Sequence, residues 1–443
     1  MSRQLTKVEK RMKASVFTLG CRVNQYESDA VAEMLAGVGF EIVPFGEECD
    51  ITVINTCTVT AESDRKSRQH IRRAMSFSPG GAVIVTGCYA QIAAEGALSA
   101  GAAAVVGNGE KSKIADIALS LVNGERNIKC VGDIMKAPYD KVSVSKPTRA
   151  RAYIKIEDGC ENRCAYCIIP KARGGVRSRP VSNVLEEISA IAKKGYSEVI
   201  LTGIETASYG RDLNEIGLSE LLLEVDRIDG IERITMGSLE PTVMNEAFVE
   251  NLTRVKGLLP HFHLSIQSGC TRTLNRMRRK YTAEKALSAI ERVRARIPDA
   301  TFSADVIVGF PGETDEDFSE TVEFCKKARF LHLHIFPYSK REGTEAAEMP
   351  GQIPEPVKKE RAAALARVGE KIQSEILDRY VELHGEADPV FVLCEMHRNG
   401  ITNGHTEHFI ECDFETDGDR TGETVAVALT GRKGNVLTGR ALN

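Results

Sequence analysis

Glu157-Asp158-Gly159-Cys160-Glu161-Asn162-Arg163-Cys164-Ala165-Tyr166-Cys167-Ile168-Ile169-Pro170-Lys171-Ala172-Arg173-Gly174-Gly175 is the stretch around which the chain is organised. Its cysteines follow a C-x3-C-x2-C pattern, so one short loop turns three thiolates toward a single point. An all-cysteine zinc site normally draws on two separated C-x2-C pairs, and no partner pair follows this loop. Three cysteines on one loop suit three irons of a cubane cluster and leave the fourth iron open to a small chelating ligand. On spacing alone, a zinc site completed by a distant residue and three unrelated thiols stay open as alternatives.

Working outward, Arg151–Ile156 reads as the strand that delivers the loop. Beyond it, strands are expected at Glu198–Leu201, Glu232–Met236, His261–Ile266, Thr301–Val308 and Leu331–Phe336. Helices fill the gaps, near 181–194, 216–227, 243–254, 282–296, 315–329 and 355–379. Six such βα units predict an incomplete parallel barrel with its site at the carboxyl ends of the strands.

Toward the amino terminus, residues 1–13 read as a polar, basic arm. Strands follow at Ser15–Leu19, Ile51–Asn55, Ala82–Thr86 and Ala103–Val106, with helices near 24–36 and 63–75 between them. This alternation predicts a second parallel α/β unit. Cys21, Cys57 and Cys88 each lie just past the carboxyl end of one of these strands. Ligands collect in the crevice outside such ends, so three cysteines distant in sequence converge there as a second candidate metal site. The plain alternative is three small residues packing helix against strand. The other cysteines, Cys49, Cys130, Cys270, Cys325, Cys394 and Cys412, read as structural.

Thr18-Leu-Gly-Cys-Arg-Val-Asn-Gln-Tyr-Glu-Ser28, Asn55-Thr-Cys-Thr-Val59 and Thr86-Gly-Cys-Tyr-Ala90, taken with the Cys160 loop, resemble the radical S-adenosylmethionine methylthiotransferases. The resemblance runs over nearly the whole chain from about Lys13. It implies two 4Fe-4S clusters. Cys160, Cys164 and Cys167 would hold the one whose open iron chelates S-adenosyl-L-methionine, and Cys21, Cys57 and Cys88 an auxiliary one. One electron into the first cluster would cleave S-adenosylmethionine to methionine and a 5′-deoxyadenosyl radical. The auxiliary cluster would carry the sulfur that reaches the substrate. The family motif also places turns at Leu201-Thr-Gly-Ile-Glu205, Ser265-Ile-Gln-Ser-Gly-Cys270 and Asp305-Val-Ile-Val-Gly-Phe-Pro-Gly-Glu-Thr314 against the pocket. Thr202, Gly203, Glu205, Gln267 and Asp305 are the expected cofactor or substrate contacts, with Asp305 equally readable as a structural carboxylate. The family pattern has an aromatic residue where this chain has Lys171.

The last ~65 residues change character, with short strands at Val390–Leu393, Gly404–Ile410, Thr424–Ala428 and Val436–Leu437 among frequent glycines. They predict a small antiparallel barrel and resemble the TRAM domain, an OB-like RNA-binding module. The expected fold is therefore α/β: an amino-terminal parallel domain (13–122), a linker (123–145), a partial (β/α)6 radical barrel (146–376) and a TRAM barrel (379–443).

The TRAM segment departs from an RNA-binding composition. From Tyr380 onward it carries five basic residues against eleven acidic ones, whereas phosphate binding needs net positive charge. Basic residues crowd elsewhere, at 65–73, 171–179 and 272–280. Such runs are usually solvated faces. Because the second adjoins the cluster loop, Arg173, Arg177 and Arg179 are the expected RNA contacts. The chain's net charge of −4 neither requires nor excludes a polyanionic partner. No apolar run reaches the ~20 residues of a membrane helix, and no signal-peptide core opens the chain. These features point to the cytoplasm, where thiols stay reduced.

Within the family, Cys21-Arg-Val-Asn-Gln-Tyr-Glu-Ser28 resembles the subgroup acting on N6-threonylcarbamoyladenosine beside the anticodon. That implies the tRNA anticodon stem-loop as partner and an external electron donor such as flavodoxin or ferredoxin. The alternatives are methylthiolation of isopentenyladenosine in tRNA or of a ribosomal protein. Outside enzymes, an iron–sulfur RNA-binding or electron-transfer protein remains.

Overall fold

The computed structural model describes residues 12–442, so the arm expected at 1–13 lies almost wholly outside the described residues. The chain forms two compact units. One is built from the chain up to Lys146 together with Ile168–Gly175, the other from Pro147–Cys167 and from Val176 onward.

The first unit is a six-stranded parallel sheet. Its strands are β1 (Lys13–Thr18), β2 (Glu41–Ile42), β3 (Ile51–Thr56), β4 (Ala82–Gly87), β5 (Ala104–Val106) and β6 (Ile128–Cys130), in the order β2-β1-β3-β4-β5-β6. Helices α1 (Arg22–Gly37), α2 (Ala61–Phe77), α3 (Cys88–Ile92), α4 (Ala94–Ser99), α5 (Ile114–Val122) and α6 (Ile169–Arg173) complete it. Every residue of β3 and β4 is buried, which is why both read as unbroken apolar runs rather than alternating ones. One face packs Val53 and Ile84 on Val31 and Leu35 of α1 and Leu121 of α5. The other packs Ile54 and Val85 on Ile71 of α2 and Tyr89 of α3. Each such side chain contributes roughly 1.5–3 kcal/mol by leaving water. Thr60 caps α2 by accepting from the Ser63 amide, the expected start signal for a polar helix.

The linker expected at 123–145 is corrected here. Its residues 128–130 form β6, paired in parallel with β5, and Tyr26 Oη donates to the Val142 carbonyl further along. A three-residue strand flanked by polar residues offers no periodicity to read.

The second unit holds the strands β7 (Ala152–Lys155), β8 (Glu157–Asp158), β9 (Arg177–Ser178), β10 (Glu198–Thr202), β11 (Arg233–Met236), β12 (His261–Gln267), β13 (Thr301–Val308) and β14 (His332–Pro337), of which β8 and β9 form a separate antiparallel pair. Six of these form two parallel three-stranded sheets, β11-β10-β7 and β12-β13-β14. A single bridge, Leu239↔Leu264, links the end of the first to β12. The barrel is thus partial, as six βα units predict. Helices α7 (Val181–Ala192), α8 (Leu218–Val225), α9 (Glu246–Leu252), α10 (Thr271–Arg276), α11 (Ala283–Arg296) and α12 (Asp315–Ala328) cover its outside. There Ile154, Leu201, Ile234, Leu264, Ala304 and Val306 meet Ile188, Leu221, Leu252 and Ile290 in one core.

Helix α13 (Glu355–Leu383) runs through the boundary expected between 376 and 379. Beyond it β15 (Val390–Arg398), β16 (Ile401–His405), β17 (Glu411–Glu415), β18 (Thr424–Lys433) and β19 (Val436–Ala441) close a barrel in the order β15-β16-β17-β19-β18. Its core takes in Leu377 and Tyr380 of α13 beside Val392, Cys412, Phe414 and Val427, so helix and barrel fold as one body. The strand expected over Gly404–Ile410 is corrected: β16 ends at His405, and the Thr406 amide donates to the Ile410 carbonyl across a tight turn into β17.

Candidate metal centres

The Cys160 loop is held from several sides within its own unit. Gly159 adopts φ +86°, a left-handed conformation only glycine takes without strain, and turns the chain out of β8. The Ala165 amide donates to the Met277 carbonyl, and the Ala346 amide to that of Ala165. Ala165, Met277, Phe310, Tyr338 and Ala346 form a small buried cluster beneath it, with Tyr166 packed edge-on to Phe310. Cys160, Cys164 and Cys167 are all partly exposed. Burial, then the proximity of Glu205 and the other two cysteines, pushes the Cys160 thiol up to about 12.

Around that loop lies a polar constellation. Asn162 Nδ2 donates to Glu205 at 3.3 Å and to Glu240 at 3.1 Å. Arg279, with only 5% of its side chain exposed, donates to Cys164 Sγ at 3.3 Å and to the Ser265 carbonyl at 3.1 Å, and pairs with Glu240 at 3.4 Å. Burial, then repulsion from Glu240, lifts the Glu205 carboxyl to about 7. The Glu205 amide donates to Glu157 Oε2 at 2.9 Å, while Glu157 Oε1 is buried without a hydrogen-bond partner. A Cβ at Gly203 would sit 2.5 Å from Glu157 Oε2. Only glycine fits against this carboxyl group, whose other oxygen, Oε1, is the one left without a partner, and burial raises its pKa well above the usual carboxylate range.

Thr202, Gly203 and Glu205 thus sit together at the end of β10 beside the loop. Gln267 closes β12 with φ +64°, a strained value for a non-glycine residue and one that clusters at functional sites. Asp305 lies lower, in the middle of β13, where His263 Nε2 meets it at 3.2 Å and 27% of its side chain stays exposed. Glu157, Asn162, Glu240 and Arg279 escaped the sequence reading. Arg279 was hidden in the basic run 272–280, whose other members do different work: Arg272 and Arg276 both pair with buried Asp317.

In the first unit, Cys21, Cys57 and Cys88 follow β1, β3 and β4, whose parallel register aligns those ends. Gly20, at φ +110°, allows the closest approach: its absent Cβ would lie 3.0 Å from Cys57 Cβ and 3.4 Å from Cys57 Sγ. Burial, then the nearness of Cys88 and Cys21, pushes the Cys57 thiol up to about 11. Cys21 is exposed, yet the protein packed around it raises its thiol too, and Arg173 opposes the rise. Cys88 is 3% exposed and receives N–H groups from Arg173 Nε at 3.2 Å and Asn108 Nδ2 at 3.7 Å.

Among the described residues no three His, Cys, Asp or Glu side chains close up as a single-ion site. Metal–sulfur bonds of ~2.3 Å demand sulfurs within about 4 Å of one another, whereas a cubane takes its thiolates one per iron.

Of the expected RNA contacts, Arg173 is fully buried against Glu27 and Arg179 is buried against Glu187, while Arg177, partly exposed, pairs with Asp158. Exposed cations of the first unit include Arg65, Lys66, Arg72 and Arg73 on α2, and Lys171.

Residues 154–325 match the model of the radical SAM superfamily, and residues 13–107 that of uncharacterized protein family UPF0004. Over 93% of its length the chain is 39% identical to a Bacillus subtilis protein named threonylcarbamoyladenosine tRNA methylthiotransferase MtaB, 92% of which is covered. A Thermotoga maritima protein of the same name is 36% identical, with 93% of each chain covered. A tRNA-2-methylthio-N(6)-dimethylallyladenosine synthase of Acetivibrio thermocellus is 32% identical, over 96% of this chain and 90% of its own. Among solved structures, the radical S-adenosylmethionine methyltransferase TsrM of Kitasatospora setae aligns with a TM-score of 0.55 at 17% identity. The alignment covers 74% of this chain and 73% of that one, a likeness of fold.

Proposed function

This chain belongs to the radical S-adenosylmethionine methylthiotransferase family, and from that premise we propose that it adds a methylthio group to C2 of N6-threonylcarbamoyladenosine next to the tRNA anticodon. Membership brings S-adenosylmethionine and a 4Fe-4S cluster with it. In this reading Cys160, Cys164 and Cys167 hold that cluster. Glu157, Gly203 and Glu205 face the ammonium group of S-adenosylmethionine, and Gln267 borders the same pocket. Bound there, the pair supplies radical removal of an unactivated aromatic hydrogen, which no acid or base achieves at neutral pH. Cys21, Cys57 and Cys88 hold a second 4Fe-4S cluster that supplies the sulfur.

The chain's own residues position and shield. Arg279 fixes Cys164 and neutralises Glu240, and Asn162 ties the loop to Glu205 and Glu240. The observation that carries the substrate choice is the face of β12–β14 turned from the helices. It presents His263, Ser303, Asp305 and His334, with His263 bonded to both Ser303 and Asp305 and packed edge-on to His334. The opposite face of the same strands is Phe262, Leu264, Phe302, Ala304 and Val306. In this reading a polar wall suits a threonylcarbamoyl arm, with its carboxylate, hydroxyl and amides, better than an apolar prenyl chain. The lower identity to dimethylallyladenosine enzymes supports the same choice.

A reducing cytoplasm and an external electron donor of the flavodoxin or ferredoxin kind complete the reading. No helix among the described residues is long and apolar enough to cross a membrane. Anaerobically reconstituted protein is given anticodon stem-loops carrying either modified adenosine, and nucleosides are read by mass spectrometry. The methylthio product is expected on the threonylcarbamoyl substrate. Product on the prenylated one alone would overturn the assignment.

A further inference from the structure

We propose that Arg173 is a positioning residue of the Cys21/Cys57/Cys88 site, whose N–H contact and charge at Cys88 set the reduction potential of the cluster held there. The inference rests on the reading of those three cysteines as ligands.

The observations are local to the first unit. Helix α6, which follows the Cys160 loop in sequence, contributes an arginine with no exposed surface. Its Nε points at Cys88 Sγ, 3.2 Å away. The rest of the guanidinium is clamped: Glu27 accepts at 2.8 and 3.1 Å, and Asn24 Oδ1 at 2.7 Å. Glu27 is itself fully buried and also pairs with buried Lys111 at 3.3 Å. Lys111 in turn donates to Asn108 Oδ1 at 2.5 Å, which leaves the Asn108 amide nitrogen aimed at Cys88 Sγ and at the Ala172 carbonyl. Every orienting partner of the two donors on Cys88 is thus fixed.

The desolvation cost of a buried guanidinium is large, and here Glu27 offsets it while Nε is aimed at Cys88. A neutral thiol is a weak acceptor for two converging N–H donors, one of them charged. A thiolate bound to iron is a better one. Hydrogen bonds to cluster sulfurs and net local charge are among the factors that set iron–sulfur potentials, and both act here to favour the reduced state.

The test uses the full chain with Cys160, Cys164 and Cys167 changed to Ala, leaving one cluster. It is reconstituted anaerobically and titrated with dithionite under EPR. Arg173→Met removes charge and N–H, Arg173→Gln keeps an N–H, and Arg173→Lys keeps the charge. With Met the midpoint is expected to fall by at least about 59 mV, a tenfold change in the oxidised-to-reduced ratio of a one-electron couple. Lys and Gln should fall less. If Met fails to take up iron, a fall in Gln or Lys carries the same conclusion. Midpoints unchanged in every variant that loads, or an equal fall in all three, would overturn the role of Arg173. A parent holding no iron would instead remove the ligand reading on which it rests.

Discussion

The two cysteine triads solve the same problem in opposite ways. Cys160, Cys164 and Cys167 fall on one turn of chain, so their convergence is local and the surrounding unit has only to anchor the loop. Cys21, Cys57 and Cys88 are brought together by a sheet: parallel pairing of β1, β3 and β4 aligns three strand ends, and Gly20 closes the last gap. Each triad also has one buried arginine on a cysteine sulfur, Arg279 on Cys164 and Arg173 on Cys88. A local site tolerates disturbance of the sheet. A distributed site depends on it.

The sharpest way to break the comparison is to remove one thiolate from each. Cys164→Ala is expected to abolish both S-adenosylmethionine cleavage and methylthiolation. Cys57→Ala should abolish methylthiolation while cleavage persists near the parental rate. Chromatography of 5′-deoxyadenosine beside tRNA nucleoside analysis reads both. Equal loss of cleavage in the two variants would mean that the triads are not separate.

The arginine at the local site comes next. Arg279→Met leaves Glu240 buried without its cation, and calorimetry should show a loss of about 3–5 kcal/mol. Arg227→Met, at an exposed pair with Glu224, should cost nothing measurable. A small loss at Arg279 would mean that the loop stands without its polar support.

Smaller effects separate the two glycines. At Gly203→Ala the new Cβ collides with Glu157, costing about 1–3 kcal/mol by overpacking and lowering S-adenosylmethionine affinity without changing auxiliary iron content. At Gly20→Ala the left-handed backbone costs about 1–2 kcal/mol and the strand ends part, so iron content should drop while cofactor affinity holds. Iron analysis and binding isotherms on both variants reveal any crossover.

The smallest expected effect concerns RNA. Arg72 and Arg73 are exposed on α2, while Arg432 of the terminal barrel is engaged by Asp378 and Ser374. Reversing Arg72 and Arg73 to Glu should flatten the salt dependence of tRNA binding by about 1.5 units in slope, at roughly 0.7–0.9 per phosphate contact. Reversing Arg432 and Lys433 should change it less. The opposite ranking in filter-binding titrations would make the terminal barrel the anchor.

The sequence alone determined whatever depends on neighbours along the chain. The Cys160 loop, the βα alternation and the strand-end positions of Cys21, Cys57 and Cys88 are all short-range signals, set by residue type and by periods of 2 and 3.6. Tertiary structure alone decided partnership. A run of arginines carries no mark of which member turns inward. Arg279 and Arg173 became inner supports of cysteine sulfurs, and Arg179 a buried brace, because Glu240, Glu27 and Glu187 await them. The same holds for β6, too short to show a period, and for the joining of α13 to the last barrel, which rests on Leu377 and Tyr380 entering a core formed by strands that follow the helix in sequence. Long-range packing selects among local possibilities, and a buried charge is placed by the one partner that can neutralise it.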